Sequence, residues 1–417
     1  MRQMKDSGIE WIGEIPQSWD VLPNKYIMKK TKELCLKYSG QAILSLTMNG
    51  VIERDLDAGG KMPSSFDGYQ LIKKGNLLLC LFDIDVTPRC AGLILKDGVT
   101  SPAYSQFVMT NMAYAPYFAY YYIMIDNTKE LLHMTKNLRY SLNEEQFGAI
   151  KAPCPPLAEQ ERIAEFLDAK CAEMEALARE IKEQIATLEE YKRSVITEAV
   201  TKGLDASVPM KDSGIEWIGE IPQAWDVLKT KYCFRYKKEI AGINSDKFDR
   251  LALTMQNVIK RAKDDSNGLQ PEKFETYQIL RRNELVFKLI DLQNVSTSRV
   301  GLSPYDGIVS PAYIIITPKS NILAKYAEKY YYTLWKNQIF NALGDDGVRS
   351  NLGKDDLLNI PIPVPPLAEQ ERIAGFLDAK CAEVDALIAE KQNQLATLEE
   401  YKKSVIFEYV TGKKEVV

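Results

Sequence analysis

The chain has 417 residues, with 53 Lys and Arg against 57 Asp and Glu, one His and seven Cys. That length predicts more than one domain, because single cores rarely grow beyond about 250–300 residues. A hydrophobic fraction of 46% with 26% charged residues excludes collagenous, low-complexity and mostly disordered chains, and a net charge of −4 excludes a uniformly basic nucleic-acid coat.

The first residues, Met1-Arg2-Gln3-Met4-Lys5-Asp6-Ser7, lead into a mixed polar segment rather than an apolar secretory run, so no signal peptide is read. Met112 to Ile125, the longest apolar stretch, is full of tyrosines and shorter than the ~20 residues of a membrane span. A cytoplasmic protein with no membrane partner is expected. The cysteines (Cys35, Cys80, Cys90, Cys154, Cys171, Cys233, Cys381) are odd in number, scattered and never in a CxxC pair. They read as reduced thiols rather than a disulfide framework or zinc site.

Met4-Lys5-Asp6-Ser7-Gly8-Ile9-Glu10-Trp11-Ile12-Gly13-Glu14-Ile15-Pro16-Gln17 recurs unchanged from Met210 to Gln223. Pro155-Pro156-Leu157-Ala158-Glu159-Gln160-Glu161-Arg162-Ile163-Ala164 recurs from Pro365 to Ala374. The chain is therefore a tandem duplication of a unit of 206–210 residues. Between these blocks the halves diverge, with thin echoes: Leu46-Thr47-Met48 and Leu253-Thr254-Met255, Tyr69-Gln70 and Tyr277-Gln278, Ser101-Pro102-Ala103-Tyr104 and Ser310-Pro311-Ala312-Tyr313, Arg139 and Arg349. Such a protein does one job twice, on two different targets.

The divergent middles read as mixed α/β. Leu77–Phe82 and Ala312–Thr317 look like strands, and the tyrosine-rich Tyr114–Ile125 and Tyr326–Phe340 like amphipathic helices. Trp11, Trp19, Trp217 and Trp225 lie in the repeated openings and read as packing residues.

Each unit ends in a long helix opened by Pro156 or Pro366. Leu167, Met174, Ile181, Leu188 and Val195 fall at seven-residue intervals, with Ile163, Cys171, Leu177 and Ile185 filling the stripe; Ile373, Leu377, Val384, Leu398 and Val405 repeat it, with Lys391 as one polar break. That is coiled-coil periodicity. At ~1.5 Å per residue, Leu157 to Val200 makes a rod of about 66 Å. Because few residues separate Val200 from Met210, connectivity predicts that the two helices pair with each other antiparallel. The expected architecture is α+β: two globular mixed α/β domains joined by two long antiparallel coiled-coil helices, a tandem repeat with pseudo-two-fold symmetry. Its boundaries are 1–153, 154–203, 204–363 and 364–417.

Catalytic patterns are missing. There is no G-x-G and no glycine-rich loop ending in Gly-Lys-Ser/Thr, and the Asn/Asp-Pro-Pro-aromatic motif of amino-methyltransferases is absent. The single His133 has no counterpart in the second half, and of the paired acids Asp83/Asp85 and Asp345/Asp346, Asp85 aligns with Gln293. No metal site is expected. Residues 1–153 and 210–363 carry net charges of +1 and +3, whereas 154–209 and 364–417 carry −5 and −3. Mildly basic globular parts on acidic rods suit phosphate-touching modules on a support that meets protein.

The repeated Lys-Asp-Ser-Gly-Ile-Glu-Trp-Ile-Gly-Glu-Ile-Pro-x-x-Trp, the mid-unit Ser-Pro-Ala-Tyr and the helix-opening Pro-Pro-Leu-Ala-Glu-Gln-Glu-Arg-Ile resemble the specificity subunit of type I restriction–modification enzymes along the whole chain. The resemblance implies that each middle is a target recognition domain reading one half of a split, asymmetric duplex DNA target, with the helices as spacers. It implies a non-catalytic guide that binds no cofactor itself. The partners implied are two methylation subunits that use S-adenosylmethionine, and restriction subunits that need ATP and magnesium. The DNA-binding candidates are Arg54, Lys61, Lys73, Lys74 and Arg89 in the first middle, and Lys260, Arg261, Lys263, Arg281, Arg282 and Arg299 in the second, each of which also reads as an ordinary solvated charge. Arg139 and Arg349, shared by both halves, suit a fold anchor or a phosphate contact. A single-chain methyltransferase or nuclease, and a coiled-coil scaffold binding protein, stand as the alternative functions.

Overall fold

Each repeated opening folds into a short antiparallel pair, Met4–Asp6 with Glu14–Pro16 and Met210–Asp212 with Glu220–Pro222. The computed structural model describes residues 2–55, 63, 65–87, 89–135, 140–255, 257–263, 265, 274–293, 298–344 and 351–416. These form two compact units, Met1–Lys182 with Asn393–Val417, and Glu183–Gln392.

In the first unit a four-stranded antiparallel sheet has the order Ala91–Leu93, Leu77–Leu79, Ser105–Met109, Met28–Thr31. A three-stranded sheet (Gly98–Thr100, Gln70–Ile72, Glu33–Leu34) and the hairpin Leu44–Thr47/Gly50–Glu53 complete the divergent middle. In the second unit the corresponding sheets are Phe234–Lys237, Ile314–Pro318, Leu285–Phe287, Val300–Leu302, and Val258–Arg261, Arg250–Leu253, Gly307–Val309, Gln278–Leu280. The hairpin joins the second sheet through the parallel pairing Arg250↔Ile308, and the first unit has the same contact as a parallel bridge, Ile43↔Val99.

The thin echoes prove to be joints of this frame. Thr47 and Thr254 close their hairpin turns by donating Oγ1–H to Gly50 O (3.0 Å) and Asn257 O (2.7 Å). Gln70 Nε2 donates to Ser101 O and Tyr104 O, and Gln278 Nε2 to Ser310 O, Pro311 O and Tyr313 O. The Tyr-Gln and Ser-Pro-Ala-Tyr echoes therefore survive together because one clamps the turn made by the other.

The tyrosine-rich segments are helical, Ala115–Thr128 and Ala324–Lys336, the latter followed by Ile339–Leu343. The first is not amphipathic as its sequence suggested: Tyr117, Phe118, Ala119, Tyr121, Tyr122, Met124, Ile125 and even Asp126 are buried, so it is covered nearly all round. Asp126 is tolerated there because Arg89, Lys129 Nζ and the Cys90 backbone N–H donate to its carboxylate.

The long helices run Leu157–Lys202 and Leu367–Val410, each contributing one half to each unit. In the first unit Ile163, Leu167, Cys171 and Met174 share a core with Val405, Ile406 and Val410, while the Phe166 and Tyr409 rings lie 4.3 Å apart and Lys402 Nζ donates to Glu175 Oε1 at 2.7 Å. In the second unit Ile196, Ala199 and Val200 share a core with Ile373 and Leu377, and Lys192 Nζ sits 2.7 Å from both Asp385 carboxylate oxygens. Early residues of one helix meet late residues of the other in each unit, which makes the pairing antiparallel. Ile181 and Val384 are buried, while Leu188, Val195 and Leu398 are half-buried. Leu177 is 46% exposed, and the seam runs instead through Ala178, because the alternating three- and four-residue steps from Met174 select position 178.

The second helix ends at Val410, and Gly412 continues with φ +71°, the left-handed cap conformation. A β-carbon there would collide with the Pro16 ring and the edge of Trp19. Gly412→Ala combines a left-handed penalty with this clash. It should lower the stability of the first unit by about 2 kcal/mol or more, read as a fall in its urea midpoint with the second unit unchanged.

Candidate nucleic-acid interface

Both modules hang on identical anchors. Trp19 and Trp225 are fully buried, and their indole N–H groups donate to Glu159 Oε2 (3.0 Å) and Glu369 Oε2 (2.9 Å), the first acids of the two long helices. Gln160 and Gln370 follow. Gln160 Nε2 donates to Met112 O and Pro155 O while its Oε1 accepts from Tyr114 N. Gln370 Nε2 donates to Asn321 O and Pro365 O while its Oε1 accepts from Leu323 N. Tyr117 OH then donates to Val410 O at 2.9 Å and Tyr326 OH to Val200 O at 3.0 Å, satisfying carbonyls at helix C-termini. The Glu-Gln pair in each helix opening is therefore a fastening for the module, and burial raises both tyrosine hydroxyls well above their ordinary pKa.

On this frame the candidate cations fall into three groups. Lys73-Lys74-Gly75 and Arg281-Arg282-Asn283 form matched turns, with Gly75 and Asn283 both left-handed (φ +89° and +66°). Lys74 N donates to Asp97 Oδ1 and Arg282 N to Asp306 Oδ1, which fixes the turns and leaves both side chains exposed. Lys73 lies 3.7 Å from Glu33, and Arg281 lies 3.0 Å from Glu239, the residue matching Glu33. The first turn borders an open cleft of about 640 Å³ that Arg54, Lys73, Lys96, Tyr38, Gln41, Glu33 and Asp97 help to line.

The second group lies on and just past the second module's hairpin, where Arg261 matches Arg54 of the first module and Lys260 replaces Glu53. Lys260 Nζ is 2.6 Å from Asp249 Oδ2 and packs over Tyr305, and the neighbouring carboxylate raises the lysine's pKa. Arg261 approaches Asp265, and Lys263 Nζ donates to Ser245 O.

The third group departs from expectation. Arg299 is 1% exposed and donates to Lys288 O, Ile290 O and Asp291 O, so its guanidinium staples a turn instead of facing a ligand; burial lowers its pKa. Arg89 is held against Asp126 and Asn127. An arginine's charge marks it as a surface residue in sequence, yet five fixed donors also suit it to buried carbonyls. Lys61, Arg139 and Arg349 lie outside the described residues. Among the described residues no group of three or more His, Cys, Asp and Glu is placed to hold a metal ion, and no helix is long and apolar enough to cross a membrane.

A family model described as type I restriction modification DNA specificity domain matches residues 103–187 and 226–397. The type I restriction enzyme MjaVIII specificity subunit of Methanocaldococcus jannaschii is 28% identical over 289 residues, 65% of this chain and 63% of that protein. The MjaX specificity subunit of the same organism is 28% identical over 284 residues, 66% of this chain and 62% of that protein. The chain thus spans less than two thirds of either relative's length. The HsdS subunit from Thermoanaerobacter tengcongensis shares the fold with a TM-score of 0.52 at 15% identity, over 96% of this chain and 98% of that one. A chain from a solved structure addressing complex assembly and conformational transition of the type I restriction–modification system has a TM-score of 0.70 at 14% identity, over 96% and 99%.

Replacing Arg299 with Leu should destabilise the second unit by about 2 kcal/mol, since three partly buried backbone carbonyls lose their donor. Thermal unfolding of the purified variant checks this: an unchanged midpoint would return Arg299 to the surface candidates.

Proposed function

The chain belongs to the type I restriction–modification DNA specificity family, and from that premise we propose that it is the non-catalytic, sequence-reading subunit of such a system, working in the cytoplasm. Each module reads one half of a split duplex target. The observation that carries this reading is the combination of like anchors with unlike faces: the Trp–Glu, Gln and Tyr fastenings recur in both modules, while the cations around the matched turns differ. Unlike faces on like frames call for unlike half-sites, and so for an asymmetric target.

The division of labour follows from physical chemistry. Lys74 and Arg282, exposed on turns fixed by Asp97 and Asp306, are suited to phosphates, which position the protein without reading sequence. Arg54 and Arg261 occupy matching positions of the two hairpins, and Lys260 stands where the first module has Glu53; with Lys263 these are the candidates for base edges. The continuous helices set the gap, and half-sites approached from one side of the duplex lie about one turn, ~34 Å, apart. Coupling two weak readers through a stiff support raises the affinity of the pair through effective concentration. Methylation of a base requires that base to be flipped from the stack into a pocket. We assign that chemistry to two methylation subunits carrying S-adenosylmethionine, and cleavage to restriction subunits using ATP and magnesium, with no cofactor on this chain.

Removing seven residues from the middle of both long helices should change the gap between selected half-sites and leave the half-sites themselves unaltered, read by sequencing duplexes retained from a random pool. An unaltered gap would reject the helices as the ruler. Exchanging residues 24–150 for the middle of another family member should alter one half-site only; alteration of both would reject independent readers.

A further inference from the structure

A second cationic surface repeats in both modules, outside the candidate cations described above. It starts on a single helical turn, Asn24–Ile27 and Thr230–Cys233, and continues into Met28–Thr31 and Phe234–Lys237, each the edge strand of its four-stranded sheet. Side chains that point inward have changed: Ile27 and Met28 are replaced by Cys233 and Phe234, all buried. Three exposed positions have kept their chemistry, although Lys30 is replaced by Tyr236. Lys25, Tyr26 and Lys29 correspond to Lys231, Tyr232 and Arg235, and all six are exposed, the tyrosines at 55% and 58%.

The ammonium groups of Lys25 and Lys231 sit 5.1 and 5.6 Å from the Tyr26 and Tyr232 ring centres. None of Lys25, Lys29, Lys231 and Arg235 forms an ion pair with a described residue, whereas the adjacent Lys30 pairs with Glu144; Lys231 has only the Asn359 amide oxygen at 3.2 Å.

Lysine on an edge strand guards against unwanted strand pairing. That role accounts for Lys29 and Arg235 but not for an aromatic ring held half in water beside an uncompensated cation in both copies. The modules differ in what they read, so a surface they hold in common meets a partner indifferent to sequence. Cations flanking an aromatic hydroxyl match a sugar–phosphate chain, with ammonium and guanidinium on phosphate oxygens and the tyrosine hydroxyl donating to another.

We propose that Lys25-Tyr26-Lys29 and Lys231-Tyr232-Arg235 grip the phosphodiester backbone of the duplex beside each half-site. This rests on the sequence-reading function proposed above and adds residues that set affinity without setting specificity.

The test uses the full-length chain, a fluorescent random-sequence duplex pool and a salt titration. The double variant K25E/K29E, and separately K231E/R235E, should bind about tenfold or more weakly near 0.1 M salt, and the slope of log affinity against log salt should fall by about 2. The split motif recovered from the pool should be the same as for the unaltered chain. The milder K25Q/K29Q and K231Q/R235Q, with unfolding midpoints measured alongside, separate lost contacts from lost folding. Unchanged affinity and slope in variants of a chain that itself binds and selects a motif would overturn the strip alone. A changed base preference would make it a reader and overturn its indifference to sequence. Normal duplex binding with impaired capture of the methylation subunit would assign the surface to protein. If the unaltered chain bound no duplex, the function and the strip would fall together.

Discussion

A buried indole donating to a carboxylate that is buried in the first module and half-buried in the second fastens each module to its helix. Trp19–Glu159 and Trp225–Glu369 place an acid beside a neutral donor at the opening of a long helix, and Glu159 is paired with Arg2 as well. The helix N-terminus favours negative charge at that point, which offsets the cost of desolvation. The glutamines one residue on then tie down the loop that leads into the tyrosine-rich helix, and the tyrosines of that helix cap the far end of the partner helix. Remove the indole–carboxylate bond and the remaining contacts lose their register.

Once the module is fastened this way, its exposed residues are released from structural duty. Within the divergent middles, the positions that persist include those closing a hairpin or clamping a turn, such as Thr47/Thr254 and Gln70/Gln278, beside the exposed Lys25-Tyr26-Lys29 set. Asn283 stands where the first module has Gly75, and both adopt left-handed backbone, as asparagine tolerates better than most residues. The frame is preserved in geometry while the identity of nearly every surface side chain is open to change.

Much of this was legible in the sequence because periodicity and repetition are properties of the string itself. The heptads located the long helices and their pairing, and the short apolar runs located Leu77–Leu79 and Ile314–Pro318. What was not legible depends on neighbours distant in sequence. Arg299 looks solvated until the carbonyls of Lys288, Ile290 and Asp291 converge on it. Lys25 and Tyr26 carry no signal of their own in the string, because they lie just beyond the verbatim repeat, where the alignment of the halves begins to blur.

The interleaving of the long helices bears on the order in which the protein is made. The second compact unit is one unbroken stretch, Glu183–Gln392, whereas the first closes only with Asn393–Val417. During synthesis the amino-terminal module emerges early but lacks Val405, Ile406 and Val410, the residues that cover Ile163, Leu167 and Met174. Domains usually mature from the amino terminus as they leave the ribosome; here the first-made half keeps an apolar flank uncovered until Asn393–Val417 has been made. A chain cut short between Gln392 and Val405 has all of the later unit and lacks the segment that closes the earlier one.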